Sequence, residues 1–243
     1  MKLGIISDTH GNLEALTACL ATLKEAGAEE FVCLGDTVGY GANPNECADL
    51  IRKTVVFTIL GNHDAAVAGR MDYTYYRDDA REVLDYHKKI LTNENMAWLR
   101  GLEYTHTHRG VGFCHGSPLE PSAFEYIFME EHAEDLLPVY ERLPPLTFIG
   151  HSHLCRAFEL APSGVADLTP VELKLDPEKK YIVSVGSVGQ PRDYDPRAAC
   201  GLYDIDAAFY QLVRVPYDID AAASKILAAG LSPIFAKRLF IGV

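Results

Sequence analysis

The sequence has no Cys-x-x-Cys pair, no excess of basic residues and no long apolar run. Its six cysteines (19, 33, 47, 114, 155 and 200) are scattered over 243 residues. That spacing excludes a zinc ribbon. With Cys19, Cys33 and Cys114 in apolar stretches, it reads as buried free thiols in a reducing compartment. Acids outnumber bases 34 to 22, a formal net charge of −12. A general binder of nucleic-acid duplexes or other polyanions would show the opposite balance. No window approaches the ~20 apolar residues of a membrane span. The start, MKLGIISDTH, meets charge too soon for a secretory signal. A cytoplasmic protein with no membrane association is the expectation. Three kinds of catalytic machinery are also missing. There is no Gly-x-x-x-x-Gly-Lys phosphate loop and no Gly-x-Ser-x-Gly elbow. No arginine lies six residues after Cys114, where Glu120 stands instead, which argues against a cysteine phosphatase.

What is present is a globular composition, 48% hydrophobic and 23% charged. A chain this long can hide roughly 70% of its unfolded surface without a disulfide staple. Short apolar runs at 3–7, 31–34, 55–60, 111–114, 147–149 and 181–185 read as buried strands. Leu13, Leu16, Leu20 and Leu23 repeat at helical spacing ahead of Gly27. Asn43 and Pro44 open a second helix over 44–53. Further helical patterns cover 77–91, 94–99, 130–140, 221–229 and 233–239. Strand–helix alternation over the first sixty residues predicts a parallel α/β arrangement. Strands at 171–175, 181–186, 201–205 and 210–215, joined by short turns, predict an antiparallel part. Two packed sheets flanked by helices accommodate both. No linker divides the chain, so 1–243 is expected to be one domain.

The polar residues that follow the strands carry the chemistry. Run 3–7 leads into Asp8-Thr9-His10-Gly11, and 31–34 into Gly35-Asp36. Run 55–60 leads into Gly61-Asn62-His63-Asp64, 111–114 into His115-Gly116, and 147–149 into Gly150-His151-Ser152-His153. In open α/β sheets ligands bind beyond the carboxyl ends of strands, so these five loops should converge. Carboxylate, amide oxygen and imidazole form a donor set for manganese, iron, zinc, cobalt or nickel rather than for calcium. Seven or eight such groups exceed the three a single catalytic zinc needs and suffice for two ions sharing a carboxylate.

The ordered set Asp8-x-His10, Gly35-Asp36, Gly61-Asn62-His63-Asp64, His115 and Gly150-His151-x-His153 resembles the calcineurin-like metallophosphoesterases. The resemblance implies a four-layer α/β/β/α sandwich with two mixed β-sheets and a dinuclear centre at one edge. It implies Asp8, His10 and His153 as ligands of a first metal, Asn62, His115 and His151 of a second, and Asp36 as the bridge. Two divalent transition-metal ions are implied, manganese first, with iron, zinc, cobalt or nickel as alternatives. His63 corresponds to the catalytic histidine, and Asn62 also meets substrate. The implied reaction is hydrolysis of small-molecule phosphomonoesters or phosphodiesters by a metal-bridging hydroxide. Protein Ser/Thr phosphatase and dinucleoside polyphosphate hydrolase are the alternatives, and an inactive binding scaffold is the alternative of another class. The partner is expected to be a small phosphorylated substrate or a phosphopeptide.

One stretch departs from the pattern. Where the protein-phosphatase branch has an Asp that orients the catalytic His and then a phosphate-binding Arg, this chain reads Gly35-Asp36-Thr37-Val38-Gly39-Tyr40-Gly41. Both residues are missing, which disfavours a typical protein phosphatase. The glycine-rich 186–193 stretch offers Arg192 as a phosphate ligand, or as an ion-pair partner of Asp193 or Asp195. His106 and His108 read as exposed strand residues with no companion carboxylate. Tyr73, Tyr75 and Tyr76 read as a packed loop before a helix or a dimer contact, in preference to a lid that stacks a base.

Overall fold

The computed structural model describes residues 1–168 and 172–243. In chain order the elements are β1 (Lys2–Ile6), α1 (Leu13–Glu25), β2 (Glu30–Cys33), α2 (Pro44–Thr54), β3 (Phe57–Thr58), α3 (Asn62–Ala68), α4 (Asp78–Ile90) and α5 (Asn93–Arg100). Then come β4 (Thr105–His108), β5 (Val111–Cys114), α6 (Glu130–Glu134), β6 (Leu146–Ile149), β7 (Cys155–Ala161) and β8 (Gly164–Asp167). The chain finishes with β9 (Glu172–Lys174), β10 (Lys180–Val185), β11 (Ala198–Asp204), β12 (Phe209–Val215), α7 (Ile219–Ala228) and α8 (Pro233–Ile241).

The strands form two six-stranded mixed sheets, ordered β3-β2-β1-β11-β12-β9 and β4-β5-β6-β10-β7-β8. β1, β2 and β3 pair in parallel, while β11 runs antiparallel to β1. In the second sheet β5, β6 and β10 are parallel and β7 is antiparallel to β10. The late strands therefore do not form a separate antiparallel sheet, since β10 joins one sheet and β11 and β12 the other.

Strand alternation builds the layers. Leu3 and Ile5 face inward and meet Phe113, Phe148 and Val183 of the opposite sheet. Ile6 and Cys33 face outward onto Leu16, Leu20 and Leu23 of α1 and Ile51 of α2. Ile149, Phe158 and Ile182 on the far side pack on Ala133 and Leu136. The result is helix, sheet, sheet, helix. Each fully buried Leu, Ile or Phe contributes about 1.5–3 kcal/mol, so the sheet-on-sheet layer and the helix-facing layers both stabilise the fold. All six cysteines are free thiols, and five of them are buried.

The structure differs from the sequence reading in four places. Run 55–60 forms only two strand residues, and Asn62–Ala68 is helix rather than loop. Every residue of α3 is buried, so no amphipathic period betrays it. The hairpin β7–β8 has no strong apolar run. The pattern at 130–140 yields α6 and then a 3₁₀ turn (Leu137–Arg142), because Pro138 cannot continue an α-helix. The expected strand at 171–175 is observed from Glu172, and its first residue lies outside the described ones.

Candidate active site

The five loops converge. Asp8, His10 and His153 bring ligand atoms within 4.8 Å of one another, and so do Asp36, His115 and His151. All seven residues proposed as metal ligands, including Asn62, are buried, as is His63. Asp36 lies between the two groups, its Oδ2 3.6 Å from His10 Nε2 and 3.3 Å from His115 Nε2. The backbone is strained to achieve this. Asp8, His10, Asp36, His151 and His153 have φ of 52°, 47°, 54°, 66° and 59°. Non-glycine residues in this left-handed region cost about 1–3 kcal/mol each and cluster at functional sites.

The proton positions of the rings are fixed by what they face. Nδ1 of His10, His153 and His115 lies 2.8, 2.5 and 2.6 Å from the carbonyls of Val38, Gln190 and Leu34. A carbonyl only accepts, so each Nδ1 carries the proton and donates it. His10 Nε2 and His153 Nε2 then face each other at 3.1 Å. Burial pushes both rings' pKa down, which keeps them neutral and leaves two opposed lone pairs. Asp8 Oδ1 joins them 3.3 Å from His153 Nε2 and makes no hydrogen bond among the described residues. Acceptors facing acceptors at these distances repel unless positive charge lies between them. The donors and their arrangement fit a divalent cation here.

A second group of acceptors surrounds His115 Nε2, with Asn62 Oδ1 at 3.1 Å and Asp36 Oδ2 at 3.3 Å. Burial disfavours a charged His115, yet Asp36 and Asp8 overcome it and raise the ring to about 9. Positive charge, as a proton or a metal ion, is favoured at this nitrogen. Burial likewise pushes Asp8 and Asp36 up, but the surrounding histidines override it and hold both carboxyls below the usual range. His151 donates its backbone N–H to Asp8 Oδ2 at 3.1 Å, and its ring stacks on Tyr126 at 3.9 Å and 14°.

His63 is the second residue of α3 and donates its backbone N–H to Asp36 Oδ1 at 2.9 Å. No carboxylate among the described residues is hydrogen-bonded to the ring, which is positioned by packing. It meets His10 edge-on at 4.9 Å and Tyr40 at 4.6 Å. Gly39 stands where the orienting Asp would be, with φ 101°, and a Cβ there would lie 2.4 Å from His63 Nδ1. Only glycine leaves room for the ring. Gly61 serves the same end, since a Cβ there would lie 2.1 Å from Asp36 Oδ1. Asp64 accepts from the N–H groups of Thr37 and Val38 at 3.2 and 3.1 Å and so ties α3 to this loop.

His87 is a residue that the sequence reading missed. It is fully buried on α4. Its Nδ1 accepts from Gly39 N–H at 3.0 Å, and its Nε2 donates to Gly41 O at 2.9 Å. The ring therefore clamps the loop that carries Gly39 and Tyr40 against His63. Its spacing in the sequence is that of an ordinary core position, so no motif points to it.

Arg192 forms no ion pair with Asp193 or Asp195. Those carboxylates pair with Arg214 and Arg197. Arg192 Nη2 instead donates to Tyr40 Oη at 3.3 Å and Gln190 Oε1 at 3.1 Å. Tyr40 stands at the sequence position of the missing Arg, and the Arg192 guanidinium reaches its hydroxyl from a distant segment. The 186–193 loop is fastened to the end of β1, with Gly189 N–H on Asp8 O at 2.9 Å and Asn12 Nδ2 on Gly189 O at 3.0 Å. His106 is exposed. His108 has a carboxylate after all, Glu30 Oε2, hydrogen-bonded to its Nε2 at 2.8 Å. The tyrosines divide. Tyr73 bonds Asp85, Tyr76 accepts from Asn62 Nδ2 at 2.6 Å, and Tyr75 is 71% exposed. No helix among the described residues is long and apolar enough to cross a membrane.

Comparison with known proteins gives the family. A calcineurin-like phosphoesterase superfamily domain matches residues 1–208. An uncharacterized protein of Methanocaldococcus jannaschii is 38% identical over 244 residues, covering 99% of this chain and 98% of that one. The crystal structure of a metallophosphoesterase from Sphaerobacter thermophilus is 34% identical with a TM-score of 0.86, covering 100% of this chain and 99% of that one. A hypothetical protein from Pyrococcus horikoshii OT3, at 22% identity, shares the fold with a TM-score of 0.80 over 100% of this chain and 98% of that one. The chain belongs to the calcineurin-like phosphoesterase superfamily.

Proposed function

We propose that this chain hydrolyses phosphoesters of small molecules at two divalent cations. Asp8, His10 and His153 would hold one ion, Asn62, His115 and His151 the other, with Asp36 shared. The observation that carries the reading is the buried convergence of imidazole nitrogens and carboxylate oxygens from five loops, described above. Bound there, two ions supply a water of lowered pKa and offset the charge of the phosphate. Arg192 pairs with phosphate oxygens through its guanidinium edge. Asn62 meets the phosphate from the start of α3. His63, pressed between Tyr40 and His10, gives a hydrogen bond or proton to the departing oxygen. Two features favour a small molecule over a phosphoprotein or a duplex: Gly39 and Tyr40 replace the protein-phosphatase pair, and the net charge is −12.

The test is to strip the protein with chelator and restore manganese, iron, zinc, cobalt or nickel in turn. Hydrolysis of p-nitrophenyl phosphate and its bis ester is then followed, with metal content measured per chain. Activity should return with about two ions per chain, manganese giving the highest rate. It should fall at least ~100-fold in Asp36→Asn and His63→Ala. Hydrolysis that survives stripping, or that both variants retain, overturns the proposal.

A further inference from the structure

A cavity of about 470 Å³ opens beside His63, within the size range of small-ligand pockets. It shares Asn62, His63 and His151 with the ligand cluster. Much of its remaining wall is aromatic. Tyr75 and Tyr76 meet edge-to-face at 5.1 Å and 75°. Phe124 also lines the cavity, with a left-handed φ of 53°. Such strain in a bulky residue persists only where the surroundings enforce it. Tyr126 is 46% exposed although its ring is stacked on His151, and Tyr75, also in the lining, is 71% exposed. Exposed tyrosine rings around a cavity offer stacking faces, and their hydroxyls give the wall polar edges. A flat heteroaromatic ring can use both the stacking faces and the polar edges, whereas an acyl chain uses neither. Arg77 on the same wall adds guanidinium donors for ring acceptors.

We propose that this cavity takes a nucleobase, so that the substrates are phosphoesters whose leaving group is a nucleoside. The inference rests on the phosphoesterase reading for the ester bond and on the aromatic wall for the base. Phosphate at the cation cluster leaves its departing oxygen toward His63, and the base then lies in the cavity beyond. Tyr76 links the two regions, because its hydroxyl is held by Asn62 Nδ2.

The experiment has two arms, both on the manganese-loaded full chain. In the first, binding of adenosine, which has no phosphate to cleave, is measured by calorimetry. Saturable binding is expected, weakened about 10-fold or more by Tyr75→Ala and largely restored in Tyr75→Phe. Because Tyr75 is exposed, its loss leaves the fold intact. In the second, kcat/KM is compared for adenosine 5′-monophosphate, glucose 6-phosphate and glycerol phosphate. A preference of at least ~10-fold for the nucleotide is expected, and Tyr75→Ala should shrink it. Absent adenosine binding, or equal use of glucose 6-phosphate, while p-nitrophenyl phosphate is still hydrolysed, overturns this inference alone. Adenosine binding without hydrolysis of any ester supports the cavity assignment and overturns the phosphoesterase reading.

Discussion

Replacing Gly39 by Ala tests the packing argument for His63 directly. The new Cβ would sit 2.4 Å from His63 Nδ1 and 2.9 Å from His10 Nδ1, where ordinary contact begins near 3.4 Å. The His63 ring must retreat by about 1 Å, or the loop must move. Overpacking of this kind costs about 1–3 kcal/mol. Forcing an alanine to a φ of 101° adds about 1–2 kcal/mol. Together these give roughly 2–5 kcal/mol, and at 2–4 °C per kcal/mol for a chain of this size Tm should fall by roughly 5–20 °C. A 1 Å misplacement of a catalytic group costs on the order of 100-fold in rate. The assay is thermal unfolding alongside kcat/KM, measured well below Tm with metal content checked. Loss of activity with metal retained identifies displacement of His63. A Gly39→Ala protein with wild-type Tm and wild-type turnover would refute the reasoning.

The remaining predictions concern the cations, the clamp and the guanidinium. At 100 times its Kd each bound ion stabilises by about 2.7 kcal/mol. Two ions should then raise Tm by roughly 10–20 °C over chelated protein, and His153→Ala should lower that rise in the same scan. His87→Phe keeps the ring but orphans Gly39 N–H and Gly41 O, so urea unfolding at pH 7 should show a loss of about 2–6 kcal/mol. Burial holds His87 at about 4, below its free value of roughly 6.5. Below pH 6.5 the unfolded chain takes up a proton that the folded chain refuses. The contribution of His87 is therefore complete above pH 6.5 and lost progressively toward pH 4. The gap between wild type and His87→Phe should narrow at pH 5. Arg192→Ala should lower kcat/KM for phosphomonoesters by roughly 10–100-fold without changing metal content, and Arg192→Lys should recover part of it.

The strand ends were the legible part of this molecule. Buried strands announce themselves as short apolar runs, and Asp8, Asp36, His115 and His151 follow four of them directly or after one glycine. The two-sheet architecture followed from strand texture, though not the strand order, because pairing between β1 and β11 spans nearly the whole chain. What sequence hid has physical reasons. The helix from Asn62 to Ala68 is buried on every side, so it has no polar face to set a period. Arg156 and Glu159 interrupt the β7 run and disguise its buried Ala157, which faces the other sheet, and Phe158, which faces the helical layer. His87 acts through two backbone groups at loop 39–41, and a partner that is main chain leaves no residue pattern to match. The tyrosine cavity depends on Phe124 and Tyr126 arriving from far along the chain to meet Tyr75 and Tyr76.

The ligand groups come from both sides of the sandwich. Asp8, His10, Asp36 and Asn62 follow strands of the first sheet, whereas His115, His151 and His153 follow strands of the second. Each proposed ion would thus be a rivet through the seam between sheets, gripped from both edges at once. Hydrophobic fit along that seam and affinity for cations become one property measured two ways. Shaving Phe148, deep in the seam, should loosen the grip on metal from a distance, and withdrawing the metal should let the two sheets breathe against each other.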